Sequence, residues 1–187
     1  MKWNRRSLLA GSTLAAAAAT TGLAPLGAWA QGKKDTLTLA LVLEPPGLDP
    51  TASAASSIGE VVLYNVFETL TKINPDGSVS PLLAESWEVS PDLKTYTFRL
   101  RRGVAFHNGA PCNAAAVKFS VERAGGDKST NKDKRTFANL RVQVVDDHTV
   151  VLINQDIEPD LLFLLGQATA IIVEPKSAAT NATKPVG

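Results

Sequence analysis

Residues 82–111 read LLAESWEVSPDLKTYTFRLRRGVAFHNGAP, and this stretch decides the fold. From Thr95 to Arg101, apolar and polar side chains alternate with a period of two. Such alternation is typical of a β-strand that buries one of its faces. The predicted buried face consists of Tyr96, Phe98 and Leu100.

A second strand precedes this one. Trp87 and Val89 form a shorter alternating run, and Ser90-Pro91-Asp92 between the two runs supplies residues that favour a turn. The two runs therefore predict a β-hairpin, in which Trp87 shares the buried face. Asn108-Gly109 predicts the turn that closes the next strand.

Helices are predicted on both sides of this hairpin. Ser57 and Glu60 have the spacing of a capping box, which predicts a helix that continues to about Leu70. Asn113 is the predicted N-cap of a second helix. Its buried face would consist of Ala114, Val117 and Val121.

The remaining elements are shorter. A strand is predicted from Thr36 to Leu43, and a second hairpin turns at Asp146 to Thr149 between two valine-rich strands. An apolar helix is predicted from Pro159 to Leu165. The mixed charges from Asp127 to Arg135 have no apolar periodicity, which indicates a solvated loop.

Several segments together resemble a known family. LVLEPPGLDP at 41–50, VLYNVFETL at 62–70 and VQVVDDHTVVLI at 142–153 flank residues 82–111 in a fixed order. This order and spacing closely resemble the family 5 extracytoplasmic solute-binding proteins, the dipeptide, oligopeptide and nickel binders that serve ABC importers. The resemblance covers about residue 36 to the end.

The resemblance implies an α/β fold of the periplasmic binding protein type II class. Members have two lobes joined by a hinge and hold the ligand in the cleft between them. They are also much longer than this chain. Residues 31–187 are therefore expected to be the N-terminal part of the solute-binding domain, truncated within the early part of lobe one.

The first thirty residues predict an export signal. Met1 to Arg6 is basic, Leu8 to Ala19 is mildly apolar, and Ala28-Trp29-Ala30 has small residues where a signal peptidase cleaves. A membrane anchor is the alternative, but the stretch is too weakly apolar. Arg5-Arg6 and the weak hydrophobicity after them indicate twin-arginine export, although a general secretory signal is also compatible.

The balance of basic and acidic residues argues against nucleic-acid binding. Removal of Lys2, Arg5 and Arg6 from the 19 basic residues leaves 16 against 18 acidic residues. No basic surplus of the kind that nucleic-acid binding requires remains.

Cys112 is the single cysteine, so no disulfide forms within the chain. Its position before a helix allows a reactive thiol, but a buried filler is favoured.

Candidate catalytic residues are few. Asp146-Asp147-His148 places two acids beside an imidazole, but a polar hairpin turn is the favoured interpretation. His107 is interpreted as a solvated or hydrogen-bonded strand residue. No nucleophile elbow, phosphate-binding loop or zinc motif is present, and no cofactor is expected.

The resemblance places ligand contacts in the loop after Leu48-Asp49-Pro50. Relatives line the cleft with the equivalent stretch and offer backbone groups to an extended ligand. From Thr51 to Ser57 this loop has only small residues, which leave room for a bulky ligand. A featureless flexible loop is the alternative. The predicted ligand-binding residues are Ser53, Ala54, Ala55, Ser56 and Ser57.

The predicted function is that of a non-enzymatic, periplasmic solute-binding component of an ABC importer. It would bind a peptide or a similar small polar solute, close about a hinge and deliver the solute to the permease subunits in the membrane. The protein is expected to be soluble after signal cleavage and monomeric when complete. Two alternatives are an exported cofactor-dependent enzyme and a haem or metal scavenger of the same fold.

Overall fold

A computed structural model describes residues 40–187 of the chain. This part is an α/β structure, with two antiparallel sheets and short helices. Two 3₁₀ turns, at Ala168–Ala170 and Ala178–Thr180, follow the last α-helix. In chain order the helices and strands are α1 (Ser56–Val62), β1 (Thr71–Ile73), β2 (Val79–Pro81), β3 (Ala84–Val89), β4 (Thr95–Leu100), α2 (Ala114–Gly125), α3 (Lys134–Ala138), β5 (Leu140–Asp146), β6 (Thr149–Asn154) and α4 (Leu161–Leu164).

The predicted hairpin forms the first two strands of the larger sheet. Its strand order is β3-β4-β6-β5, with every neighbouring pair antiparallel. Trp87 pairs with Phe98, which in turn pairs with Val150 on β6. The predicted register is confirmed, because Tyr96, Phe98 and Leu100 are buried while Arg99 is exposed.

Helix α2 covers the buried face of this sheet. The Asn113 side-chain oxygen accepts a hydrogen bond from the Ala116 amide at 3.2 Å, which confirms the predicted N-cap. The predicted apolar face of α2 is confirmed as well. Its central residue Val117 is fully buried, as are Phe98 and Leu152 of the sheet. Helix and sheet therefore share one hydrophobic core.

A second, smaller hydrophobic cluster lies around α1. It combines Ile58 and Val62 with Phe67 and with Ile171 and Val173 from the far end of the chain. The Ile172 amide donates to the Glu68 carbonyl at 2.8 Å, which joins the two segments along their backbones. This cluster fixes α1 and hence the loop that precedes it.

The predicted helix from Ser57 to about Leu70 is wrong in extent and in its cap. Helix α1 ends at Val62, and its N-cap is Ala55 without a side-chain hydrogen bond. Tyr64 has a φ of 61°, and its amide donates to the Phe67 carbonyl at 2.8 Å. This reversal directs Phe67 into the smaller cluster, so burial of an aromatic ring overrides continuation of the helix.

Other predicted boundaries also change. Residues 40–43 of the predicted strand Thr36 to Leu43 are irregular, since no described strand pairs with them; the earlier residues lie outside the described range. Residues 105–111 form an isolated bridge and a turn, with Gly109 at a φ of 82°, in place of a strand. The helix predicted from Pro159 spans Leu161–Leu164.

The predicted leader at 1–30 lies outside the described residues, as does the start of the segment 31–187. Within residues 40–187, no helix combines the length and the apolar character needed to cross a membrane.

Candidate functional site: the loop before helix α1

The loop before α1 is attached to the rest of the protein at its first residues. The Leu48 amide donates to the Ala182 carbonyl at 2.9 Å. Asp49 is buried, and its Oδ1 accepts from the Thr51 amide at 2.9 Å. Its Oδ2 lies 2.5 Å from Arg123 Nη2 on α2. The buried carboxylate is therefore paired and hydrogen-bonded, as a charge inside a protein requires.

The five predicted ligand-binding residues follow this anchor. Ser53 and Ala55 are half-buried, whereas Ala54 and Ser56 are exposed. Ser56 is the first residue of α1, and Ser57 after it is buried. The end of the loop and the first residue of α1 thus present small side chains to the surface at four consecutive positions, and the fifth predicted residue faces the interior.

The exposed side of the loop forms one wall of a cavity of about 160 Å³. The opposite wall comes from the segment before α3 and from the segment after α4. These walls are far apart in sequence and meet only in the fold. The lining residues are Pro50, Ser53, Ala54, Ala55, Ser56 and Gly59 on one side, with Lys132, Gln167, Ala168 and Thr169 on the other.

Close packing holds the two walls together. A Cβ atom at Gly59 would lie 2.9 Å from the Ala168 Cβ, so α1 approaches the 3₁₀ turn at a distance that only glycine allows. The cavity volume exceeds that of a single water molecule several times. It can hold a small group of a ligand, such as a carboxylate or one peptide unit.

The solvated loop predicted from Asp127 to Arg135 is wrong in its second half. Asn131 is buried and donates from Nδ2 to the Thr169 carbonyl at 2.8 Å. Asp133 accepts from the Thr169 hydroxyl at 2.7 Å, and α3 begins at Lys134. Hydrogen bonds to the distant residue Thr169 order this stretch. Such polar contacts produce no apolar periodicity in the sequence.

The residues predicted from the sequence lie on one wall of the cavity, and none of those on the opposite wall was predicted as a ligand contact. The resemblance pointed to Ser53 through Ser57, of which Ser57 does not line the cavity. Lys132 lies within a run of mixed charges, and Gln167 and Thr169 follow an apolar helix without a recognisable motif. No signal in the sequence alone identifies these residues as lining partners.

A separate cavity of about 250 Å³ is lined by His107 and Cys112, among other residues. Burial, and secondarily the charge of Glu68, raises the pKa of the Cys112 thiol to about 11. A cysteine nucleophile needs the opposite shift, toward the thiolate. The interpretation of Cys112 as a buried filler is confirmed.

His148 and its acidic neighbours form the predicted polar turn. The His148 amide donates to Asp146 Oδ1 at 2.7 Å. This backbone hydrogen bond is the main reason why the pKa of the Asp146 carboxyl is lowered. Across residues 40–187, no group of three or more His, Cys, Asp or Glu side chains has an arrangement suited to a metal ion.

Comparison with known proteins identifies the class to which this structure belongs. The structure of the periplasmic binding protein AgaA from A. tumefacien R10, in complex with agropinic acid, superposes with a TM-score of 0.70. The two proteins are 32% identical, over 77% of this chain and 30% of AgaA. The predicted α/β periplasmic binding protein fold is confirmed, and this chain supplies part of it.

The family is also shown by sequence. Residues 78–187 match the bacterial extracellular solute-binding proteins, family 5, in the region described as the middle of that family. The chain belongs to this family, as the resemblance predicted. The family is one of solute-binding proteins.

Two relatives show how much of a family member is present. The glutathione-binding protein GsiB of Salmonella choleraesuis (strain SC-B67) is 36% identical over 127 residues, which are 67% of this chain and 25% of GsiB. The oligopeptide-binding protein OppA of Bacillus subtilis (strain 168) is 29% identical over 96% of this chain and 36% of OppA. The chain thus spans between a quarter and about a third of these relatives.

Proposed function

We propose that this chain contributes one wall of the ligand-binding cleft in a periplasmic solute-binding protein of an ABC importer. The ligand is a peptide or a similar small polar solute, which the protein delivers to permease subunits in the membrane. The protein acts by binding and carries out no reaction itself. Family membership and the named ligands of GsiB and OppA support this proposal.

The observation that carries the proposal is the geometry of the loop before α1. Asp49 and α1 hold its two ends, while Ser53 through Ser56 remain accessible beside a cavity. A loop with fixed ends and small side chains offers backbone amides and carbonyls to a ligand without a large cost in conformational entropy. A peptide recognises such groups by main-chain hydrogen bonds.

Calorimetry on the full reading frame that contains this chain tests the proposal. Glutathione and peptides of two to five residues are titrated separately into the purified protein. At least one of them is expected to bind with micromolar affinity and to be recovered unchanged. Binding of none of these compounds, or chemical conversion of the bound one, would overturn the proposal.

We also propose that residues 1–30 form a signal peptide of the twin-arginine type, cleaved after Ala30. The mature protein is then soluble in the periplasm and monomeric. Replacement of Arg5 and Arg6 with lysine is expected to block export and leave uncleaved precursor in the cytoplasm. Normal processing of this variant would instead assign the chain to the general secretory route.

A further inference from the structure

Lys132 has a distinct position among the residues that line the cavity beside the loop. Within residues 40–187, it is the one residue lining this cavity that has a charged side chain, because the others are proline, glycine, alanine, serine, threonine and glutamine. Its Nζ lies 3.4 Å from Gln167 Oε1, at the outer limit of a hydrogen bond. An ammonium group has three donors, so it has capacity left for a ligand.

The backbone of Lys132 is held on both sides. Asn131 donates to the Thr169 carbonyl at 2.8 Å, and its Oδ1 accepts from the Asp133 amide at 2.8 Å. The Asp133 carboxylate accepts from the Thr169 hydroxyl at 2.7 Å. The backbone of Lys132 is therefore held in place on both sides. The nearest acidic residue along the chain, Asp133, is hydrogen-bonded to Thr169.

We propose that Lys132 determines specificity at this cavity by binding a carboxylate group of the ligand. This inference rests on the proposed function and specifies the ligand class, a solute with an acidic end placed between Lys132 and the loop Ser53 through Ser56. The serine hydroxyls and the Gln167 amide supply neutral donors around the carboxylate, while the alanines leave space for it. The charge of Lys132 then discriminates between an acid and its neutral amide.

The test titrates the protein with two small probes of nearly equal shape, propionate and propionamide. The NMR signals of the backbone amides report the binding of each probe. Propionate is expected to shift the signals of Ser53 and Gln167 and to bind about fivefold tighter than propionamide, near the upper end of what an accessible ion pair contributes. Lys132→Met should remove this preference, and Lys132→Arg should retain it. Lys128→Met is the matched control, because Lys128 lines a different cavity.

Equal binding of the two probes, or a preference for propionate that persists in Lys132→Met, would overturn the inference. Trialanine and its C-terminal amide, titrated in the same way, separate this inference from the proposed function. If propionate gives a response and trialanine gives none, the proposed peptide binding is contradicted but the role of Lys132 is not. If trialanine and its C-terminal amide bind with equal affinity, the role of Lys132 is contradicted but peptide binding is not.

Discussion

Arg123 Nη2 lies 2.5 Å from Asp49 Oδ2, and this ion pair joins helix α2 to the loop that carries the candidate ligand contacts. The Asp49 side chain is 1% exposed and that of Arg123 is 23% exposed. The pair therefore attaches the loop to helix α2 through a contact inside the protein. The position of Ser53 through Ser56 depends on a contact between residues 74 positions apart in sequence.

Removal of the arginine should destabilise the protein strongly. Arg123→Met leaves the buried Asp49 carboxylate without its cation, which costs about 3–5 kcal/mol in unfolding free energy. Urea denaturation measures the difference. Lys118→Met is the control, because it breaks the exposed pair between Lys118 and Glu122 and should cost less than about 1 kcal/mol. Similar losses in both variants would show that the Asp49 pair is no more important than a surface pair.

The register of the hairpin predicts unequal effects at two adjacent residues. Phe98 is fully buried, and its ring centroid lies 6.3 Å from that of Trp87. Phe98→Ala should therefore lower the unfolding free energy by about 3–5 kcal/mol. Arg99 is exposed on the opposite face, so Arg99→Ala should change it by less than about 0.5 kcal/mol. Equal changes would contradict the assigned faces of β4.

The thiol of Cys112 should be almost inert in the native protein. With a pKa of about 11, about one thiol in a thousand is ionised at pH 8. Iodoacetamide at pH 8 should modify Cys112 quickly in urea and very slowly in buffer, which mass spectrometry follows over time. Rapid modification of the folded protein would show that the thiol is accessible and ionised.

Glu174 should make stability depend on pH in the acidic range. Its carboxylate accepts hydrogen bonds from the backbone of Lys176 and Ser177, at 3.0 and 2.7 Å. The bond from Lys176 is the largest cause of a pKa below the ordinary value of 4.5. A lowered pKa means that this stabilisation is present above pH 4.5 and is lost as the pH falls through the lowered value.

The matched variant Glu174→Gln cannot ionise. We expect the native protein to exceed it in unfolding free energy at pH 6 and to lose this advantage progressively below pH 4.5. Denaturation with urea at several pH values measures both proteins. An advantage that is constant down to the most acidic pH would contradict the role of the ionised carboxylate.

The part of the fold that the sequence predicted correctly is the part with a regular local pattern. Alternation around Phe98, the Asn113 cap and the turn at Asp146 each depend on residues close together in sequence. The error at α1 has a different origin. The backbone leaves the helical conformation at Leu63, where ψ is 124°, and the positive φ of Tyr64 then reverses the chain; no apolar period indicates such backbone states.

The candidate site was predictable to the extent of its loop. The family resemblance predicted ligand contacts at Ser53 through Ser57, and in the structure four of these residues line a cavity. The facing residues Lys132 and Gln167 are brought there by two hydrogen bonds, one donated by the Asn131 side chain to the Thr169 carbonyl and one donated by the Thr169 hydroxyl to the Asp133 carboxylate. Pairings of polar side chains over more than 30 residues leave no periodic signal, so only the structure locates this wall.

The most direct test of the proposed ligand-binding wall is to fill its cavity. Ala54 is exposed and lines the cavity, so the indole of Ala54→Trp should occupy the space next to Lys132 without disturbing the core. Ala179→Trp, on an exposed residue outside this cavity, is the matched control. A peptide that binds in the separate titrations is titrated by calorimetry into the full reading frame carrying each substitution. We predict that Ala54→Trp weakens binding at least tenfold and that Ala179→Trp leaves it unchanged, whereas native affinity in a folded Ala54→Trp protein would contradict the assignment of this loop to the ligand-binding cleft.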